Sequence, residues 1–213
     1  MDTTKIVQQR LPESQFISEN TDKKQIYLHH TAGNKNPIAT IKGWEANKER
    51  VATAFVIGYE GTIAQAFSSR DWAWHLGVKD SVFKGQKLPY KNLDKYSIGI
   101  ELTNWAYLVE KDGKYYNYVG GEVDKSEVTW LNKPFKNHKT WHKYSDKQIE
   151  SLRELLLYLG ETYGISLKYN DDIFSLNTRA LKGENGLYTH NSVRVDKSDV
   201  YPCPRLIKML SSL

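Results

Sequence analysis

A chain of 213 residues has the length of one generous domain or two small ones, enough to bury a real core. With 39% hydrophobic and 26% charged residues it reads as a soluble globule, and no run approaches the ~18 apolar residues of a membrane span. The net charge of +5 favours polyanionic partners such as nucleic acid, anionic lipid or bacterial cell wall, but the basic residues are scattered, which argues against a dedicated nucleic-acid groove. One cysteine, Cys203, excludes an intramolecular disulfide. The first ten residues hold no apolar stretch resembling a signal peptide, so synthesis in the cytosol is expected.

In chain order, two dozen polar residues lead into an apolar strand at Gln25-Ile26-Tyr27-Leu28-His29. Asn36 is placed to cap a helix whose first turn takes Pro37, with Ile38, Ile41 and Trp44 following. Ala54–Ile57 and Thr62–Ala66 read as a hairpin around Tyr59-Glu60-Gly61, and Tyr96–Leu102 as a further buried strand. From about 104 to 144, Asp112-Gly113 and Gly120-Gly121 suggest turns between short aromatic-rich strands, an inserted flap. Ser145 followed by Gln148 has the capping-box pattern, and Leu152, Leu155, Leu156 and Leu159 recur at helical spacing up to Gly164. A short strand at Tyr188-Thr189-His190 and a helix from Arg205 to Leu210 close the chain. Strands alternating with helices, without internal repeat or dividing linker, predict one α/β domain over 1–213, a central mixed sheet flanked by helices.

Two of the six histidines stand where packing alone does not explain them. His29-His30 ends a strand and enters the loop Thr31-Ala32-Gly33, and strand ends facing a crevice are where open α/β sheets place ligands. Adjacent strand residues point to opposite faces, so only one of the pair can enter such a site. Near the C-terminus, His190 precedes a loop that ends in Lys197 and Asp199. Imidazole and carboxylate are good zinc ligands, and a catalytic site keeps one position open beside three protein ligands. On the residues alone, a structural histidine at the strand end and a polar surface loop after His190 are the favoured readings.

Five motifs in order tip this balance. Ile26-Tyr27-Leu28-His29-His30-Thr31-Ala32 comes first, then Ala54-Phe55-Val56-Ile57 with Glu60-Gly61-Thr62. Ala73-Trp74-His75-Leu76-Gly77 follows, then Asn92-Leu93 through Tyr96-Ser97-Ile98-Gly99-Ile100-Glu101, and finally His190 through Asp199. Across 25–104 and 145–204 the chain resembles the zinc amidases, the family of phage amidase lysins, anhydro-muropeptide amidases and peptidoglycan recognition proteins. The resemblance implies that His29, His190 and Asp199 bind Zn2+, that Glu101 activates the attacking water and that Lys197 steadies the oxyanion. It further implies that His75 lines the substrate groove. Trp72 and Trp74 are candidates for an apolar wall, or for core packing. The implied reaction is hydrolysis of the amide between N-acetylmuramic acid and L-alanine in peptidoglycan.

Three departures stand out. Val200 follows Asp199 where many relatives have proline, and Thr53-Ala54-Phe55 stands where some carry His or Tyr. Cys203-Pro204 resembles the Cys-Pro of short lysins in which cysteine is the third ligand, so Asp199 and Cys203 compete for that place. A peptidoglycan-binding module that does not cut is the alternative to the enzyme. A basic nucleic-acid binder ranks last. A monomer without membrane span is expected, acting on the wall as a phage lysin or in the cytoplasm as a recycling enzyme.

Overall fold

The computed structural model describes residues 2–46 and 49–213 of the chain. A two-residue edge strand, β1 (Val7–Gln8), precedes β2 (Gln25–His30), whose six residues are all buried. Asn36 caps α1 (Pro37–Glu45) as expected, its side chain accepting from the amides of Ile38 and Ala39. The expected hairpin is β3 (Phe55–Ile57) and β4 (Ile63–Gln65), with Phe55 opposite Gln65 and Ile57 opposite Ile63. A short helix, α2 (Asp80–Gly85), leads to β5 (Ser97–Leu102).

The segment expected as a flap forms two small sheets of its own. Strands β6 (Val109–Lys111), β7 (Lys114–Tyr116) and β8 (Glu122–Val123) make one; β9 (Val128–Phe135) and β10 (His138–His142) make an antiparallel hairpin. The turn at Asp112-Gly113 is where the sequence placed it, both residues having positive φ. The outer sheet has a small cluster, Leu108, Tyr115, Val123 and Val128. The hairpin is tied into the main core by fully buried Trp141, stacked on Tyr201 at a centroid distance of 4.8 Å.

Helix α3 (Asp146–Tyr163) buries Leu152, Leu155, Leu156 and Leu159 and ends at Gly164 in the left-handed conformation (φ 63°). Each buried leucine contributes ~1.5–3 kcal/mol against ~1 for a cap, so packing more than capping holds this helix. The Ser145 side chain accepts from the Gln148 amide, which is half of the expected capping box. The other half is absent: the Gln148 amide group donates to the carbonyls of Ile57 and Thr103, pinning α3 to the ends of β3 and β5. Helix α4 (Thr178–Leu181), strand β11 (Gly186–Thr189) and helix α5 (Pro204–Leu210) complete the chain.

The six-stranded sheet runs β1-β4-β3-β5-β2-β11. Only the β3–β4 pair is antiparallel, so the sheet is mixed, in a single α/β domain as expected. Strands β5, β2 and β11 are adjacent and parallel, and their C-terminal ends share one edge. Among the described residues no helix is long and apolar enough to cross a membrane.

Candidate active site

Register alone assembles half of the site. Glu101 on β5 pairs with His29 on β2, and Leu28 pairs with Thr189, so His190 follows directly after the end of β11 beside His29. Three side chains from distant points of the chain are thereby set in a row at the C-terminal edge of a parallel sheet. His30, one residue on, points to the opposite face, where its Nδ1 lies 3.0 Å from the Tyr144 hydroxyl. Burial lowers the pKa of His29 and of His30 to about 4 each, with Asp199 partly opposing the fall, so both rings are neutral at pH 7.

The other half comes from the loop after β11. His190 opens a single 3-10 turn, and Asp199 returns to it because Asn191, itself buried, donates to the carbonyls of Asp199 and Val200. Asp199 Oδ2 lies 2.9 Å from His190 Nδ1 and 3.0 Å from His29 Nδ1, and the two Nδ1 atoms are 3.1 Å apart. Burial pushes the Asp199 carboxyl up, but hydrogen bonds and charge from His190 and His29 outweigh it and hold it well below the usual carboxylate range. Among the described residues, His29, His190 and Asp199 form the one group of His, Cys, Asp or Glu side chains drawn together closely enough to hold a metal ion. Cys203 is not in it. Its buried thiol belongs to the main core, at the start of α5.

The hydrogen bonds behind this triangle identify what it fits. His190 Nε2 is 2.9 Å from the Leu76 carbonyl, which can only accept, so that nitrogen carries the proton. With Nε2 so committed, Nδ1 is the ring atom left to face Asp199 Oδ2, and without its proton it offers a lone pair as a metal ligand. A metal ion at the point faced by His190 Nδ1, Asp199 Oδ2 and His29 Nδ1 would draw one lone pair from each. Zinc bonds of ~2.0–2.2 Å place neighbouring ligand atoms of a tetrahedral site ~3.3–3.6 Å apart, somewhat wider than the 2.9–3.1 Å separations seen here. The donor set fits zinc.

His75 stands behind His29. Its Nδ1 is 3.0 Å from His29 Nε2 and its Nε2 is 2.9 Å from Ser97 Oγ, so both ring nitrogens are engaged within the protein. Asp94 Oδ1 accepts from the amides of His75 and Leu76 and so sets both the ring behind His29 and the carbonyl behind His190. Gly99 leaves space for this arrangement: a Cβ there would lie 2.7 Å from Thr53 and 3.0 Å from His75. Thr53 turns its hydroxyl to the Phe55 carbonyl. Asp94, Ser97 and the Leu76 carbonyl escaped the sequence reading, although all three lie within or beside the motifs quoted above. Nothing in spacing marks a carboxylate that binds backbone amides.

His29, His75, His190 and Asp199 line a cleft of about 360 Å³ together with Glu101, Lys197, Thr31 and Val51. Glu101 Oε2 is buried and has no hydrogen-bond partner. Burial, reinforced by Asp199 and opposed by Lys197, raises the Glu101 pKa well above the usual range. A larger hollow of about 630 Å³ lies between the start of α1 and the β3–β4 turn, but lacks any comparable convergence of ligand atoms. Trp72 and Trp74 pack edge to face at 5.0 Å; Trp72 is buried and donates to Glu19, and Trp74 is exposed. The structure thus brings together His29, His75, Glu101, His190, Lys197 and Asp199.

Residues 19–204 match the family model described as N-acetylmuramoyl-L-alanine amidase. No curated protein matches the chain. Among solved structures, PlyL is similar at 14% identity and a TM-score of 0.54, with 96% of each chain covered. A mutant endolysin from Bacillus subtilis is 16% identical with a TM-score of 0.51, covering 97% of this chain and 96% of that one. A derivative of AmpD is 15% identical with a TM-score of 0.50, covering 97% and 94%. These identities speak for the fold alone, and the family match, spanning most of the chain, speaks for the rest. The chain belongs to the N-acetylmuramoyl-L-alanine amidase family, the peptidoglycan amidases.

Proposed function

We propose that this protein is a zinc-dependent hydrolase of the amide between N-acetylmuramic acid and L-alanine, with His29, His190 and Asp199 as the metal ligands. The observation that carries the reading is the triangle of His29 Nδ1, His190 Nδ1 and Asp199 Oδ2, no side longer than 3.1 Å, in one cleft with the unpartnered Oε2 of Glu101. Zinc held there supplies Lewis acidity toward the scissile carbonyl and toward water.

Glu101 is the general base. Its Oε2 takes the proton of the attacking water and afterwards delivers it to the departing L-alanine nitrogen. An unpartnered buried oxygen suits this task, because no fixed donor competes for the lone pair that must accept. The high pKa of Glu101 makes it a better base once ionised, and positive charge brought into the cleft favours the ionised form. Lys197 faces the developing oxyanion, where a fixed cation stabilises charge that the ground state lacks. His75 orients His29 through Nδ1, and any contact it makes with substrate in the groove uses the remainder of its ring.

The proposed place of action is the bacterial wall. Purified protein should carry about one zinc per chain and lose activity on chelation. Digested wall should gain L-alanine amino termini without gaining reducing sugar ends. Muropeptide binding without zinc and without cleavage would instead make the protein a recognition module.

A further inference from the structure

Basic residues are spread along most of the chain, but residues 128–144 hold four lysines, at 133, 136, 139 and 143, and no Asp or Glu. This stretch is the β9–β10 hairpin and its exit. Among the described residues, none of the four lysines is paired with a carboxylate, and Lys133 and Lys139 are exposed. The hairpin closes through a two-residue turn, Lys136-Asn137, with positive φ at both positions (49° and 68°). A turn of this kind matches the twist of its strands and holds the tip in one place. Fully buried Trp141 anchors the other end.

The tip is joined to the catalytic loop. Lys136 Nζ donates to the Val195 carbonyl at 2.6 Å, two residues before Lys197 and four before Asp199. The same loop is held from its other side by Arg194, which pairs with Asp196 and reaches the Leu76 and Gly77 carbonyls. A rigid cationic finger is therefore continuous with the edge of the amidase cleft. A ligand anchored at the scissile amide and extending along this edge meets uncompensated positive charge.

Given the amidase reading, on which the inference rests, we infer that the β9–β10 hairpin binds the free carboxylates of the substrate's own peptide stem. The stem leaves the scissile amide on its alanine side and carries side-chain and terminal carboxylates, so each substrate molecule brings its own anions to the cleft edge. Exposed pairs of this kind are individually weak and screened by salt, so the hairpin acts on substrate affinity and leaves the chemical step alone.

The test compares the parent with the double variant Lys133→Gln/Lys139→Gln. Lys136 stays in place because its bond to Val195 touches the catalytic loop. Two soluble muramoyl peptides serve as substrates, one with free stem carboxylates and one with them amidated. For the free-carboxylate substrate the variant should raise KM about three- to tenfold at low salt, with kcat unchanged. For the amidated substrate KM should not move, and high salt should erase the difference. An equal change with both substrates, or none with either, overturns the proposal. So does a loss seen only on intact walls bearing phosphate polymers, which would assign the hairpin to that polymer. If the double variant does not fold, the two single variants each carry part of the same test. If the parent cuts neither peptide, the amidase reading fails by itself, and equilibrium binding of the same pair still decides what the hairpin recognises.

Discussion

The two halves of the cleft are built on different principles. His29, Glu101 and His190 stand on or directly after three adjacent parallel strands, and register alone fixes their spacing. Asp199 and Lys197 come from an irregular loop, and side-chain bonds from Asn191, Arg194 and Lys136 hold that loop in place. The sheet half resists change because moving one residue means shifting a strand whose faces are both packed. The loop half depends on a few polar contacts, each of which a single substitution can remove. A site of this design keeps Glu101 and two imidazoles fixed and leaves Asp199 and Lys197 to looser support.

The largest effect that would sharpen this division is at Glu101. Glu101→Gln preserves shape but cannot accept a proton, so turnover should fall ~100- to 10,000-fold while zinc content stays at the parent level. Near-full turnover would remove Glu101 from the chemistry.

Next comes the loop half. Asp199→Ala should weaken zinc binding by more than ~100-fold, beyond what outer-shell changes cost, and abolish activity with it. Cys203→Ser should keep both. If Cys203→Ser shed the metal and Asp199→Ala kept it, the ligand assignment would pass to Cys203.

Protons should unsettle the face of the sheet opposite the cleft. His30, at about 4, and His142, also lowered by burial, are neutral in the folded chain and take up protons more readily once unfolded. A depressed folded pKa gives stability that is complete above pH ~6.5, the unfolded value, and is lost as the pH falls toward 4. Urea unfolding should therefore show a loss of roughly 3 kcal/mol for His30 across that window. Glu127, 3.6 Å from His142, reduces the loss at that second site. A flat stability profile from pH 7 to 4 would mean that these rings take up protons as readily in the fold as in the unfolded chain.

The smallest effect falls on the support behind the proposed metal site. His75→Ala removes the group holding His29 Nε2, and metal affinity should drop ~10- to 100-fold with less change in kcat at saturating zinc. An unchanged affinity with a raised KM would restrict His75 to contact with substrate.

Much of this molecule was legible as sequence because it depends on local rules. The Asn36 cap, the buried alternation around His29-His30, the β3–β4 hairpin and the leucine face of α3 each follow from neighbours a few residues apart. The order of the motifs, together with the family match over 19–204, placed the chain among the amidases. Tertiary structure decided what depends on distant partners. It placed Asp199 and left Cys203 in the core, a matter of how the loop from 193 folds back over Asn191. It sent the Gln148 side chain to two strand ends instead of back to Ser145, where its amide donates to the Thr103 carbonyl and adds a second donor to the Ile57 carbonyl, already bonded to the Thr103 amide. It also revealed Asp94 as the organiser of two backbone amides, and the 128–144 hairpin as a neighbour of the loop that carries Lys197 and Asp199. Local pattern carries which residues are apolar and which can turn. Partners far apart along the chain meet only when the sheet is assembled, and so only the folded chain shows them.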